Sequence, residues 1–226
     1  MIYLALFVLI SALVYGPSYW VRHVIRKHNR PLEGMPGTGA ELAQHLIERF
    51  KLDGVTVQQT SADKDYFSPS DKVVGLSPEV YGGRSLSAVA IAAHEVGHAI
   101  QYTNNEPISR LRSRYSGMAR IVQSVGVWVL ASVPLIGALS RAPGLMMLLA
   151  LVGVMAMLAS VVFHALVLPE EFDASFTKAL PILQEGYVPE EYLPAIRQVL
   201  KACAFTYVAS ALSDVLSIWR WLAILR

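Results

Sequence analysis

One residue in 226 is a cysteine, Cys203, so the chain can form no internal disulfide and offers no thiolate cluster for a structural zinc site. Cys203 lies in an apolar stretch and reads as a buried thiol with no redox role. Charge is also scarce. Only 16% of residues are charged, the net value of +2 comes from mixed signs, and no basic tract of the kind that grips nucleic acid is present. The first apolar run has no basic region ahead of it and no small-x-small cleavage signal after it, which favours a retained anchor over a removable leader.

Apolar length is abundant instead. Hydrophobic residues make up 54% of the chain and the mean hydropathy is +0.44, too high for an ordinary soluble domain. Four segments read as membrane helices: residues 1–21, 118–140, 143–168 and, weaker because it carries Asp214 and Arg220, 202–225. The short turn between the second and third predicts a helical hairpin. Residues 22–117 hold most acidic residues and turn signals and predict a small α+β head, with a helix over 40–50 and strands over 55–59 and 72–76. Residues 169–201 form a second polar segment. The expected fold is therefore a mainly α membrane protein with about four spans and a small α+β head. Arg22, Arg26, Lys27, Arg30, Arg110, Arg112, Arg114 and Arg120 flank the spans on the head side, whereas the hairpin turn has only Arg141, so the head is expected in the cytoplasm and the N-terminus outside.

The polar segment contains His94-Glu95-Val96-Gly97-His98. Residues four apart share a helix face, so two imidazoles can hold one metal ion with Glu95 beside it. Ser85 supplies a plausible N-cap for such a helix. This is the pattern of a zinc hydrolase: zinc takes neutral nitrogen or anionic oxygen ligands, keeps one position open and acidifies the water there, and Glu95 accepts that water's proton. The residues alone leave Glu170, Glu171, Asp173 and His164 as rival third ligands.

Ala93 to Gln101, preceded by Leu76-Ser77-Pro78-Glu79-Val80-Tyr81 and followed by Glu171-Phe172-Asp173-Ala174-Ser175, resembles the YugP-type family of bacterial membrane zinc metallopeptidases over nearly the whole chain. It is similar, more distantly, to the gluzincin membrane proteases that include the CAAX prenyl endopeptidases and the bacterial heat-shock membrane protease. The resemblance implies a zinc endopeptidase with Glu171 as third ligand beside His94 and His98, Glu95 as general base, and a peptide or protein as substrate. In the distant relatives an aspartate one turn after the ligand supports a zinc histidine; here that place is Ser175, a neutral acceptor. Asp173 is expected to hold another element in place. Asp65-Tyr66-Phe67 and 72–76 look like the strand, turn and strand against which such enzymes lay an extended substrate, or else an ordinary hairpin.

Two other readings compete. Leu52-Asp53-Gly54 echoes the aspartate motif of intramembrane zinc proteases, but it precedes the histidines in a polar segment where Asp-Gly marks a turn. A membrane scaffold that retains a metal site is the non-enzymatic reading. Tyr207 and Arg197 are candidate oxyanion donors, and residues 182–194 a candidate gate. His23, His28 and His45 lack metal spacing and read as interface or solvated residues; Trp20, Trp219 and Trp221 fall near span ends, and Met146, Met147, Met155 and Met157 read as apolar packing. A second copy or a regulatory membrane partner is left open by the sequence.

Overall fold

Residues 2–215 are described by the computed structural model. They are mostly helical, with one three-stranded sheet among them, and they fall into two compact units. One unit is built from the described parts of Met1–Ser18, Leu111–Leu168 and Tyr207–Arg226; the other from Tyr19–Arg110 and Pro169–Thr206.

The second unit begins in the later turns of helix α1 (Ile2–Lys27), whose Val21 and Val24 are buried. Helix α2 (Gly39–Arg49) starts at a capping box. Thr38 Oγ1 accepts from the Glu41 N–H at 3.2 Å and the Glu41 carboxylate accepts from the Thr38 N–H at 2.7 Å, so two N–H groups without helical partners are satisfied reciprocally. Its Ala43, Leu46 and Ile47 are buried. Leu52-Asp53-Gly54 forms the turn into β1 (Thr56–Gln59), with Gly54 at φ +79°, a conformation that suits the turn reading.

Strands β2 (Tyr66–Ser68) and β3 (Val73–Leu76) make the expected hairpin, in the register Tyr66↔Gly75, Phe67↔Val74 and Ser68↔Val73. Ser68 Oγ donates to Asp71 Oδ2 across its turn at 2.7 Å. The central strand β3 also pairs in parallel with β1, which leaves β2 on an edge of the sheet. A short helix α3 (Pro78–Tyr81) leads into α4 (Leu86–Thr103), and every residue of α4 from Leu86 to Gln101 is buried. A helix that is apolar nearly all round has no water-facing side, so α4 forms the centre of this unit. Ser85 caps it as expected, its Oγ accepting from Ala88 N–H at 3.1 Å.

In the other unit, α5 (Arg110–Ser140) and α6 (Pro143–Ala165) are joined by a turn at Arg141 and Ala142. Helix α5 starts before the expected residue 118, because Arg110 to Met118 contains no proline and mostly good helix formers. The two helices approach at glycines. A Cβ on Gly126 would lie 2.9 Å from the Gly153 carbonyl oxygen, and one on Gly153 would lie 2.5 Å from Leu130 Cγ. Small residues that let backbones meet are the usual device for packing helices where no water drives them together. Outward faces stay apolar: Trp128 is 75% exposed, Leu139 78% and Met147 74%. Among the described residues two helical stretches, Pro107–Ser140 and Pro143–Gln184, are long and apolar enough to cross a membrane. Of Met146, Met147, Met155 and Met157, Met157 is buried and Met147 and Met155 are exposed.

After α6 the chain continues through α7 (Leu168–Phe172), a π-helical turn (Asp173–Ala179), α8 (Leu180–Gln184) and α9 (Leu193–Val215). The rest of the expected span 202–225, with Trp219, Arg220, Trp221 and the Asp214 side chain, lies outside the described residues. Segment 182–194 is tied to α2: Arg49 pairs with Glu185 and donates to the Tyr187 hydroxyl at 3.2 Å, and His45 Nε2 lies 2.7 Å from that hydroxyl.

Candidate metal centre

Helix α4 carries His94 and His98 one turn apart, their ring centroids separated by 4.7 Å, and α7 brings Glu171 against both. Glu171 Oε2 stands 3.3 Å from His94 Nε2 and 3.2 Å from His98 Nε2. Among the described residues these three form the group able to hold a metal ion, with ligand atoms all within 4.8 Å of one another. Of the four rivals for the third place, the structure thus brings Glu171 to the pair. His164 stacks with Tyr207, and Glu170 Oε1 is 4.0 Å from His98 Nδ1, on the other side of that ring.

The outer nitrogens of the two rings decide where their protons sit. Gln101 Nε2 donates to the Glu170 carbonyl at 3.0 Å and to Asp173 Oδ2 at 2.8 Å; both partners only accept, so the amide oxygen is the atom facing His98. That oxygen lies 3.0 Å from His98 Nδ1 and can only accept, which puts the ring proton on Nδ1. Ser175 Oγ spends its one hydrogen on the Leu200 carbonyl at 3.1 Å, so at 3.0 Å it accepts from His94 Nδ1–H. Both Nε2 atoms are left as lone pairs.

Those lone pairs converge on a carboxylate. Burial pushes the Glu171 carboxyl up, and positive charge on the His98 and His94 rings, when they are protonated, more than offsets that and holds it well below the usual carboxylate range; with both Nε2 atoms unprotonated, that positive charge has to come from a cation. The group is 1% exposed, and its second oxygen, Oε1, has no hydrogen-bond partner among the described residues. Three electron pairs with no proton among them and a buried anion are costly unless a cation sits between them. The spacing suits zinc: ligands about 2.0–2.1 Å from an ion at tetrahedral angles stand about 3.3 Å from one another. The residues present fit the metal.

Close helix packing makes this convergence possible. A Cβ on Gly97 would meet the Ala174 carbonyl oxygen at 2.7 Å, so glycine at that point of the motif lets the π-helical turn rest on α4. The same turn contains Ser175. Single π turns interrupting α-helices recur at functional sites, and here one starts at Asp173, two residues after Glu171. Asp173 holds Gln101 and is itself paired with Lys178 at 3.4 Å, which reaches Glu106 at 3.1 Å. Motif reading placed Asp173 in a supporting role but missed its partner Gln101, three residues after His98 and on the same helix face; that i, i+3 spacing was the available signal.

Glu95 is buried in the same turn as the histidines. Its negative charge is felt by half-buried Asp65 at the start of β2. Burial raises the Asp65 carboxyl, the Ser77 N–H at 2.7 Å lowers it, and Glu95 and Asp63 raise it again, for a net upward shift. Of the two candidate oxyanion donors, Tyr207 has Arg112 over its ring at 5.1 Å, and Arg197 is exposed. His23 stacks on Tyr19, and His28 Nε2 lies 3.3 Å from Gln198 Oε1, as residues without metal spacing should. Cys203 is buried.

Comparison with known proteins agrees with this chemistry. A family model described as "Putative neutral zinc metallopeptidase" matches residues 2–226. The chain is 30% identical to "Putative membrane protease YugP" of Bacillus subtilis (strain 168) over 224 residues, covering 97% of this chain and 96% of the relative. No solved structure matches.

Proposed function

The chain belongs to that zinc metallopeptidase family, and we propose that it is a membrane-integrated endopeptidase hydrolysing peptide bonds at the cytoplasmic membrane surface. The observation that carries this reading is the meeting of His94 Nε2, His98 Nε2 and Glu171 Oε2 as three unprotonated ligand atoms. His94, His98 and Glu171 would hold the zinc. When bound, zinc supplies Lewis acidity, polarising the scissile carbonyl and bringing a water's pKa near neutrality. Glu95 takes the proton from that water and returns it to the leaving amine, so no covalent intermediate is required. Gln101 and Ser175 keep the proton of each ligating ring on its outer nitrogen throughout. Strand β2, paired on one side only, offers an edge to an extended peptide; its backbone groups recognise the chain while demanding little of the sequence.

In this reading residues 22–117 and 169–201 build the cytoplasmic head. Residues 1–21, 118–140, 143–168 and 202–225 are the four spans, with the N-terminus outside. The positive flanks of the spans and the outward apolar faces of α5 and α6 support it. The test is Glu95→Gln, assayed with an unfolded protein substrate and by metal analysis of the purified chain. Zinc should stay at about one per chain while cleavage disappears. Cleavage by this variant at the parent's rate would refute the general base, and parent protein that binds zinc yet cleaves nothing would favour the scaffold reading.

A further inference from the structure

The exposed face of α1 beyond its apolar stretch carries Tyr19, Arg22, His23, Arg26 and Lys27 at helical spacings of three and four, and Arg30 joins from the turn that follows. These six side chains line a hollow of about 620 Å³, within the size range of small-ligand sites, and none of them is acidic. Arg22, Arg26, Lys27 and Arg30 enter no ion pair among the described residues, unlike Arg49 and Lys178 elsewhere in the same unit. Like charges one turn apart on a helix repel, so this face is destabilised unless an anion occupies it.

The opposite face of the helix is fixed. Val21 and Val24 are buried, the Ile25 carbonyl accepts from Ser87 Oγ at 2.7 Å, and the His28 carbonyl accepts from the Ser87 N–H at 3.1 Å. Ser87 lies in the first turn of α4, so the basic side chains project from backbone anchored to the motif helix. In sequence this basic run directly follows the apolar residues 1–21 that read as a membrane span, so the anions it meets are those of the bilayer's headgroup layer.

We propose that this face binds the phosphate headgroup of an anionic phospholipid, the guanidinium forks of Arg22, Arg26 and Arg30 gripping phosphate oxygens. The proposal is independent of the peptidase reading.

Purified full-length protein in neutral detergent, weighed intact in the mass spectrometer with phosphatidylglycerol, phosphatidylcholine or inorganic phosphate, tests it. The parent should retain phosphatidylglycerol over phosphatidylcholine by about two orders of magnitude. Each neutralised charge should cost about fivefold, so Arg26→Gln combined with Arg30→Gln should lose about thirtyfold, with zinc content unchanged. Arg26→Lys with Arg30→Lys keeps the charge and removes the forks; it should fall several-fold, and it serves if the neutral variant does not fold. Arg141→Gln should change nothing. Equal retention of the two lipids by the parent, or undiminished preference in both double variants, overturns the site. Displacement of phosphatidylglycerol by an equal concentration of inorganic phosphate overturns the assignment to lipid.

Discussion

A histidine can offer a metal its lone pair only while its proton is held elsewhere, and at His98 the holder is Gln101. Gln101→Leu removes the acceptor and also frees the Glu170 carbonyl and Asp173, so zinc affinity should fall about 10–100-fold. Competition against a chelator of known affinity measures this; an unchanged constant would mean that the ring is held without Gln101. Ser175→Ala should lie at the lower end of that range, because a hydroxyl raises ligand basicity less than a charged partner does. Asp65 gives a pH signature. Its carboxyl titrates above its unfolded value in the folded chain, so its contribution to stability is complete at acid pH and is lost as the pH rises through the raised value. Asp65→Asn should therefore gain in melting temperature relative to the parent as the pH is raised from about 4 towards neutrality, a gap that thermal scans across that range will reveal.

At the level of elements, the contact between α4 and the π-helical turn decides whether the ligands meet. Alanine is the better helix former by about 1 kcal/mol, so propensity alone favours Gly97→Ala. The backbone oxygen 2.7 Å from the new methyl cannot give way as a side chain would, and overpacking of this kind costs about 1–3 kcal/mol. The steric cost should win, lowering the melting temperature and weakening zinc binding together. A variant more stable than the parent would show that the two elements can slide apart freely. The elements themselves were largely legible beforehand. The motif helix with its Ser85 cap, the hairpin of β2 and β3, and the α5–α6 pair follow from local patterns of capping, alternation and apolar length. The π-helical turn was not legible, since it depends on what α4 allows at Gly97.

For the whole molecule, a metal held by His94, His98 and Glu171 would close a long loop in the chain, joining residues 94 and 98 to residue 171. An ion that binds only the folded state stabilises it by about 4 kcal/mol when present at about a thousand times its dissociation constant. Excess chelator should therefore abolish cleavage and lower the melting temperature, and added zinc should restore both. A chelated protein that melts unchanged would mean that helix packing alone holds Glu171 in place. Membership of a zinc metallopeptidase family and a relative named as a membrane protease agree with the two helices apolar enough to cross a bilayer.

Sequence by itself determined the class of chemistry, because two histidines four apart around a glutamate carry their geometry in the helical repeat. It also determined the apolar segments, because hydrophobic length is a local property. The choice of Glu171 over Glu170, Asp173 and His164 needed either a family resemblance or the fold. Neighbouring carboxylates look alike along a chain, and Glu170 and Glu171 are both buried; only the packing of this segment on α4 brings one of them, Glu171, to both Nε2 atoms. Tertiary structure alone decided the proton positions on the two rings, since these depend on Gln101 anchoring a segment some seventy residues away and on Ser175 spending its hydrogen on Leu200.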